Sequence, residues 1–317
     1  MTACLWWHPG QHQGLEKLFR YTRRVKNGGI VPRAKMAWVE ERSSSALLDA
    51  AKGFGYVAAY RAMTRAIEKA RGSGVAIVGV RHSNHFGIAG YHAFQAATFG
   101  LIGIAMTNAG AEMAPWGSAK PVLGTNPWGI SVPRKGDRDP IILDMALTQS
   151  GKGMMRWFER SGMPMPEHWA LTPDGQRTTD PSAAMEGPLL PVGDYKGYGL
   201  SLITDVLTGV MTGSLFGSSV FQDDRNYDVG HTMIAIDPEA FLPRGEFAAR
   251  LERLLDEVKS APPIDADSPV QIPGEAEQQR ARQRKADGIP VDVATVNKLE
   301  TLAQELGVSF TLSEEHS

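Results

Sequence analysis

Two imidazoles lie within seven residues of one another in the polar stretch Arg81-His82-Ser83-Asn84-His85-Phe86-Gly87. Imidazole gives and takes a proton near neutral pH, which is what interconversion of a carbonyl and an alcohol requires. His85 has the better setting, with Phe86 and Gly87 following it, although by residue type and position alone a solvated or hydrogen-bonded bystander is the commoner case. A second candidate is Asp194-Tyr195-Lys196-Gly197-Tyr198-Gly199, at the start of an apolar helical stretch. Free N–H groups, the helix dipole and the Lys196 ammonium together suit a phosphate or a carboxylate there, the alternative being a solvated capping lysine. A third is the turn Gly124-Thr125-Asn126-Pro127, preceded by Pro115-Trp116-Gly117, which could offer hydrogen bonds to a ligand or be only a tight turn.

Other patterns fail on context. His8 and His12 have the spacing of helical metal ligands, but Pro9 and Gly10 separate them and no third ligand is evident, so no metal is expected. Gly151-Lys152-Gly153 lacks the earlier glycine of a phosphate-binding P-loop and reads as a helix start. Gly53-Phe54-Gly55 begins like a dinucleotide fingerprint, yet the sixth position is Ala58 and the next strand ends at Arg81 and His82 instead of an acidic residue. The better reading is a pair of glycines that start a helix packed closely on its neighbour.

Positioning these groups falls to alternating helices and strands. Val57, Tyr60, Met63, Ile67 and Ala70 recur at helical spacing between Gly53 and Gly72, and Val75 to Val80 reads as a buried strand. Arg81 to Gly87 is then a loop, Ile88 to Phe99 a helix and Leu101 to Met106 a second buried strand. Further strands are expected at Ile130 to Val132, Ile141 to Met145 and Thr232 to Ile236, with a helix from Gly151 to Arg160. Ser161 to Asp194 is rich in turn residues and too long for a simple connection, so it should lie against the body and serve a site. Gly199 to Met211 is apolar nearly all round, as a buried helix would be. Phe247 to Val258 is amphipathic, Ala261 to Gly274 is a Pro-rich connection, and Val293 to Leu306 is a last helix capped by Gly307. The pattern predicts an α/β, mixed α+β, architecture. It forms a single unit over 1–317, with a cofactor-binding subregion at 75–235 and the segments 1–74 and 236–317 packing together.

A chain of 317 residues with 42% hydrophobic content can bury a large core. With 33 Lys plus Arg against 35 Asp plus Glu, a net charge of -2 gives no basic field for nucleic acid or acidic lipid. The only cysteine, Cys4, excludes an intrachain disulfide and agrees with a reducing compartment, and no apolar run reaches membrane-spanning length. The expectation is a soluble cytoplasmic protein with neither nucleic-acid nor membrane partner.

Taken together, the segments Asn27-Gly28-Gly29-Ile30, Gly53-Phe54-Gly55, Ser83-Asn84-His85-Phe86-Gly87, Gly124-Thr125-Asn126-Pro127, Asp144-Met145-Ala146, Lys196-Gly197-Tyr198-Gly199 and Pro273-Gly274-Glu275 closely resemble the malate/L-lactate dehydrogenase family. The resemblance covers nearly the whole chain after residue 8. It implies a non-Rossmann malate/L-sulfolactate dehydrogenase-like fold, a homodimer with sites near the subunit boundary, and NAD or NADP in an extended groove. It implies hydride transfer between that cofactor and a small 2-oxo or 2-hydroxy acid, a malate- or lactate-like carboxylate. By the same likeness Asp144, Met145, Ala146, Leu147, Thr148, Gln149 and Ser150 would line the cofactor with Lys196, Gly197, Pro273, Gly274 and Glu275. His85 matches a histidine assigned as proton acceptor in some members, and Thr125 and Asn126 would join Lys17 at the substrate. Two positions depart from the family pattern. Gln13 stands where a proton-donating histidine is usual, and Lys17 where an arginine suits the substrate carboxylate. Glutamine can hydrogen-bond a carbonyl but delivers no proton, and lysine keeps the charge while losing the bidentate fork. A cyclic imine-acid reductase and a cofactor-binding homologue without turnover therefore remain as alternatives.

Overall fold

The structure is a computed structural model that describes residues 2–6 and 14–311. His8, His12 and Gln13 lie outside the described residues. Chain order begins with α1 (Thr2–Trp6) and α2 (Glu16–Lys26), then β1 (Ala37–Glu41), β2 (Ser45–Asp49), α3 (Gly55–Ser73), β3 (Val75–Ser83), α4 (Ala89–Ala97) and β4 (Ile102–Thr107). It continues with β5 (Trp128–Val132), β6 (Ile141–Met145), α5 (Lys152–Ser161), α6 (Pro181–Glu186) and α7 (Tyr195–Asp205), which runs on as a π-helical turn over Val206–Val210. The chain then forms β7 (Val229–Ile236), α8 (Glu246–Ser260), α9 (Glu275–Asp287) and α10 (Val293–Leu306).

All seven strands form one sheet in the order β1-β2-β3-β7-β4-β5-β6. β2 and β3 are parallel, joined by α3, as a crossover helix requires. β7 sits between β3 and β4 and is antiparallel to both, so β3 and β4 run the same way on either side of a strand from much later in the chain. That insertion separates the fold from a doubly wound dinucleotide-binding sheet, where successive parallel strands are neighbours. The glycines at the start of α3 play the packing part that the sequence suggested. A Cβ on Gly55 would stand 1.8 Å from the Asn84 carbonyl oxygen, so the helix start is pressed directly against the histidine loop.

One face of the sheet is covered by α3 and α4 through small residues. Ala58, Ala62, Ala66, Ala93 and Ala96 are fully buried against Val78, Val80, Ala105 and Met233. Alanine at these positions lets the helix axes approach the strands closely, and interior density is kept by Met63, Ile67 and Phe86. The opposite face receives the π-helical turn. The carbonyl of Leu207 accepts a hydrogen bond from the Thr232 hydroxyl, and a Cβ on Gly230 would lie 1.5 Å from the Thr208 oxygen.

This arrangement corrects the expectation of a buried apolar helix from Gly199 to Met211. The helix turns its small and polar residues, Gly197, Ser201, Thr204, Asp205, Thr208 and Thr212, toward the sheet, and these are the buried ones. Leu200, Leu202, Ile203, Val206, Val210 and Met211 are exposed in the single chain, Ile203 and Val210 by about half. The apolar residues face outward because only small side chains permit the approach to β7.

At the far end, Arg284 and Arg280 on α9 donate to the carbonyls of Cys4 and Trp6, holding α1 beside the C-terminal helices. The strand expectations at Val75, Ile130, Ile141 and Thr232 each fall within an observed strand, that at Leu101 starts one residue before β4, and the last helix has the expected bounds with Gly307 left-handed at its end.

Candidate active site

β3 extends to Ser83, farther than the apolar pattern alone indicates, and its register against β7 shifts between Val80 and Ser83. The polar stretch beyond Val80 is therefore partly strand, and His82 and His85 go to different places. His82, at φ 50°, turns to Asp49, with Nδ1 2.9 Å from the carboxylate that also accepts from Arg81. Asn84 is fully buried and donates to the carbonyls of Gly29, Lys52 and Gly53, which locks the loop to the segment after α2 and to the start of α3. Next in the chain, His85 is partly buried, with its Nδ1 2.6 Å from the Tyr21 hydroxyl on α2.

Helix α2 carries Lys17, Tyr21 and Arg24 at i, i+4 and i+7, so the three lie along one side. The Lys17 ammonium is pushed down to about 8, first by burial, then by Arg20, with Arg24 and Arg156 adding to the effect and Glu112 opposing it. The His85 imidazole is held well below its usual range by burial and then by the charges of Lys17, Arg20 and Arg24. Arg24 is almost fully enclosed, its guanidinium 3.8 Å from the centre of the Tyr227 ring and its Nε 3.5 Å from Asp224. A neutral imidazole beside several cations is a surrounding for an anion that must also exchange a proton.

The floor beneath His85 is a buried column in which Phe86 stacks between His92 at 5.0 Å and His231 at 4.8 Å. His231 bonds Ser83 through Nε2 and Thr107 through Nδ1, and complete burial pushes it down to about 3. These two histidines are neutral packing groups. No local pattern marks the column, whose members come from β3, α4, β4, β7 and the loop after β3.

The segments assigned to a cofactor by resemblance converge. The backbone of Ile142 on β6 donates to the Pro273 carbonyl at 3.0 Å, and a cleft of about 160 Å³ is lined by Trp6, Leu143, Asp144, Pro273, Gly274 and Glu277. Glu275 faces an adjoining larger cleft and is paired with Lys259 at 2.7 Å. On the other side, Val192 donates to Leu147 and Gln149 to Leu190, which brings the chain after β6 against the start of α7. Gly197 is buried in that contact, since a Cβ there would be 2.9 Å from the Leu147 carbonyl, whereas Lys196 is exposed at the helix N-terminus. Met145, Ala146 and Ser150 are partly exposed along the same run. Gly90, five residues beyond His85, touches Asp144 and gives it a backbone hydrogen bond, so the imidazole loop and the β6 end share one wall.

This groove fits a dinucleotide. Asp144 Oδ2 and Thr148 Oγ1 are buried polar atoms with no partner within the chain, and such atoms normally have one. Burial is the main cause that raises the Asp144 carboxyl to about 7. Hydroxyl groups of a ribose could satisfy both atoms. Among the described residues no group of three or more His, Cys, Asp and Glu side chains is arranged to hold a metal ion.

The turn at Gly124 is differently employed. The Thr125 carbonyl accepts from Leu147, which buttresses the segment after β6. Asn126, at φ 39° and fully buried, accepts from the Ala109 N–H and donates to the carbonyl and hydroxyl of Ser201. Its amide oxygen and nitrogen are both engaged inside the chain. Tyr21, Arg20, Arg24 and Arg156 were missed in the sequence. The i, i+4, i+7 spacing from Lys17 was the available clue for two of them.

With this geometry in place, comparison with known proteins gives a consistent answer. The family described as malate/L-lactate dehydrogenase matches residues 10–300. L-sulfolactate dehydrogenase of Methanothermobacter thermautotrophicus is 36% identical over 95% of this chain and 87% of its own length. The sulfolactate dehydrogenase structure from Methanocaldococcus jannaschii has a TM-score of 0.86 at 37% identity, covering 93% of this chain and 86% of that one. Cofactor names differ among relatives. The (2R)-3-sulfolactate dehydrogenase (NADP(+)) of Chromohalobacter salexigens is 35% identical over 92% of this chain and 85% of its own length. The ureidoglycolate dehydrogenase (NAD(+)) of Escherichia coli O157:H7 is 33% identical over 88% of this chain and 80% of its own length.

The sheet and groove define a non-Rossmann nicotinamide-dependent oxidoreductase, and the chain belongs to the malate/L-lactate dehydrogenase family. Its class of reaction is hydride transfer between NAD or NADP and a 2-hydroxy or 2-oxo acid.

Proposed function

We propose that this protein reduces and oxidises a small malate- or lactate-like acid, with His85 exchanging the oxygen proton and Lys17 holding the C1 carboxylate. When bound, the nicotinamide supplies the hydride chemistry. The chain's own residues orient the acid, keep water from the reacting carbon and present the imidazole. The observation that carries this reading is the His85 imidazole, kept neutral first by burial and then by the charge of the half-buried Lys17 ammonium.

Arg20 and Arg156, which act on Lys17, favour an acid with a second anionic group, such as a C4 carboxylate or a sulfonate. The same field disfavours a cyclic iminium, which is cationic when most reactive. Steady-state rates with a panel of lactate, malate, sulfolactate and a cyclic imine acid, each with NAD and NADP, test this. A preference for the imine acid, or no turnover on any member, defeats the reading.

Asp144 through Ser150, with Lys196, Gly197, Pro273 and Gly274, would hold the cofactor, and Glu275 would brace that end through Lys259. Because the Asp144 carboxyl sits at about 7, its acceptor strength falls as pH drops through that value. Cofactor Kd measured by fluorescence should rise as pH falls from about 8 to about 6, and Asp144→Asn should weaken binding by about tenfold and flatten the dependence. An unchanged Kd in the variant would remove Asp144 from the groove's function.

The exposed apolar side of α7 and its π-helical turn supports a homodimer, since a face of this kind on a chain of modest net charge is normally covered. Sedimentation of the protein as a monomer at micromolar concentration would exclude it. No helix among the described residues is long and apolar enough to cross a membrane, and a free, buried Cys4 supports a reducing cytoplasmic setting. Fractionation of cells is the check on that placement.

A further inference from the structure

His85 Nδ1 has two neighbours that can hydrogen-bond it: the Tyr21 hydroxyl at 2.6 Å and the backbone N–H of Gly87 at 3.2 Å. A backbone amide can only donate. The Gly87 contact therefore requires Nδ1 to be unprotonated, with its ring-plane lone pair facing that N–H. A hydroxyl at 2.6 Å from the same lone pair must then donate as well. Gly87 holds its amide two residues back toward the ring with φ at 89°, a conformation that side-chain-bearing residues rarely adopt.

We propose that Tyr21 is a positioning residue that, together with the Gly87 amide, fixes His85 as the Nε2–H tautomer, so that the imidazole meets the substrate oxygen as a hydrogen-bond donor. The inference rests on the reading of His85 as the substrate-facing imidazole. It adds the tautomer, the group that sets it and the ring atom that reaches the substrate. The contact joins α2 to a loop 64 residues later.

The hydroxyl is well placed for this part. The Tyr21 ring is held edge-on to Phe54 at 6.3 Å and tilted against Tyr56 at 6.1 Å, both from the start of α3. Those contacts hold in place the ring that carries the hydroxyl. Burial raises the Tyr21 hydroxyl far above its ordinary range, so it stays a neutral donor and takes no part as a phenolate. The Lys17, Arg20 and Arg24 charges oppose formation of an imidazolium, which would have to give up the Gly87 bond. An Nε2–H donor aligned with a 2-oxo group polarises the carbonyl as it is reduced and passes its proton to the forming alkoxide, leaving an imidazolate that solvent reprotonates; in the reverse direction that imidazolate takes the alcohol proton at Nε2, so no imidazolium is needed.

Nitrogen-15 NMR of histidine-labelled protein tests the assignment without relying on turnover, with His85→Gln identifying the signal. Wild type should show an acceptor-type Nδ1 and a protonated Nε2 in a single tautomer at neutral pH. Tyr21→Phe keeps the ring packing on Phe54 and Tyr56 but removes one donor. It should shift the His85 nitrogens toward a mixed tautomer and lower kcat by about tenfold with little change in KM, the worth of one hydrogen bond. A protonated Nδ1 in wild type, or a His85 spectrum unchanged in Tyr21→Phe, overturns the proposal. If the tautomer is as stated while His85→Gln retains full turnover, the tautomer assignment stands and the catalytic reading of His85 fails.

Discussion

His85→Asn should lower kcat by about 10²- to 10³-fold, the usual contribution of a positioned proton-exchanging group, while the cofactor Kd changes little. The separation is expected because the imidazole loop and the groove at Asp144 share a wall through Gly90 but offer different atoms to different parts of the ligand pair. Asparagine can still donate a hydrogen bond near the oxygen, so the loss isolates what only the imidazole provides. Fold damage is a separate matter, and a thermal melt distinguishes it, since the anchoring bonds of this loop are made by Asn84 and not by His85. Wild-type turnover at saturating cofactor would show that the proton moves through another group.

Lys17→Met should raise KM for the acid by about 10- to 10²-fold, as expected for loss of a charge-assisted bond to a carboxylate, with a smaller effect on kcat. The pH dependence follows from the same residue. Its ammonium sits at about 8 in the free protein, so the carboxylate partner is cationic below that value and becomes neutral as pH rises through it. Accordingly kcat/KM for the acid should fall on the alkaline side near pH 8, and substrate binding should raise that limit by stabilising the cation. Lys17→Arg should restore most of the affinity and move the alkaline limb beyond the accessible range, because guanidinium keeps its charge. An alkaline limb near pH 8 that persists in Lys17→Arg would assign it to a different group.

Much of the framework was legible before any coordinates. The helix that follows Gly53 carries a helical periodicity, and the strands at Val75, Leu101, Ile141 and Thr232 are short apolar runs bounded by turn or polar residues. Arg81 and His82 at the end of the following strand stand where a dinucleotide fingerprint needs an acidic residue. Close packing of Gly55 on Asn84 is the physical counterpart of that reading. Helix α9 was not anticipated, since its sequence, Glu275 to Asp287, is strongly charged and its buried side is limited to residues such as Gln278 and Ala281. The outward apolar side of α7 was misjudged for a related reason. Hydropathy counts apolar residues but does not say which side of a helix meets the sheet, and here steric closeness to Gly230 selected the small ones.

Local sequence determined that this chain has a loop imidazole, a helix-start lysine and a set of glycine-rich turns, because spacing and residue type act over a few bonds. Only the tertiary structure decided that Lys17 and Tyr21 face His85, that Asn126 is spent inside the chain, and that β7 enters between β3 and β4. Those outcomes depend on contacts between residues tens to hundreds of positions apart. Their energies come from burial and from the scarcity of unpaired polar atoms, neither of which a local pattern records.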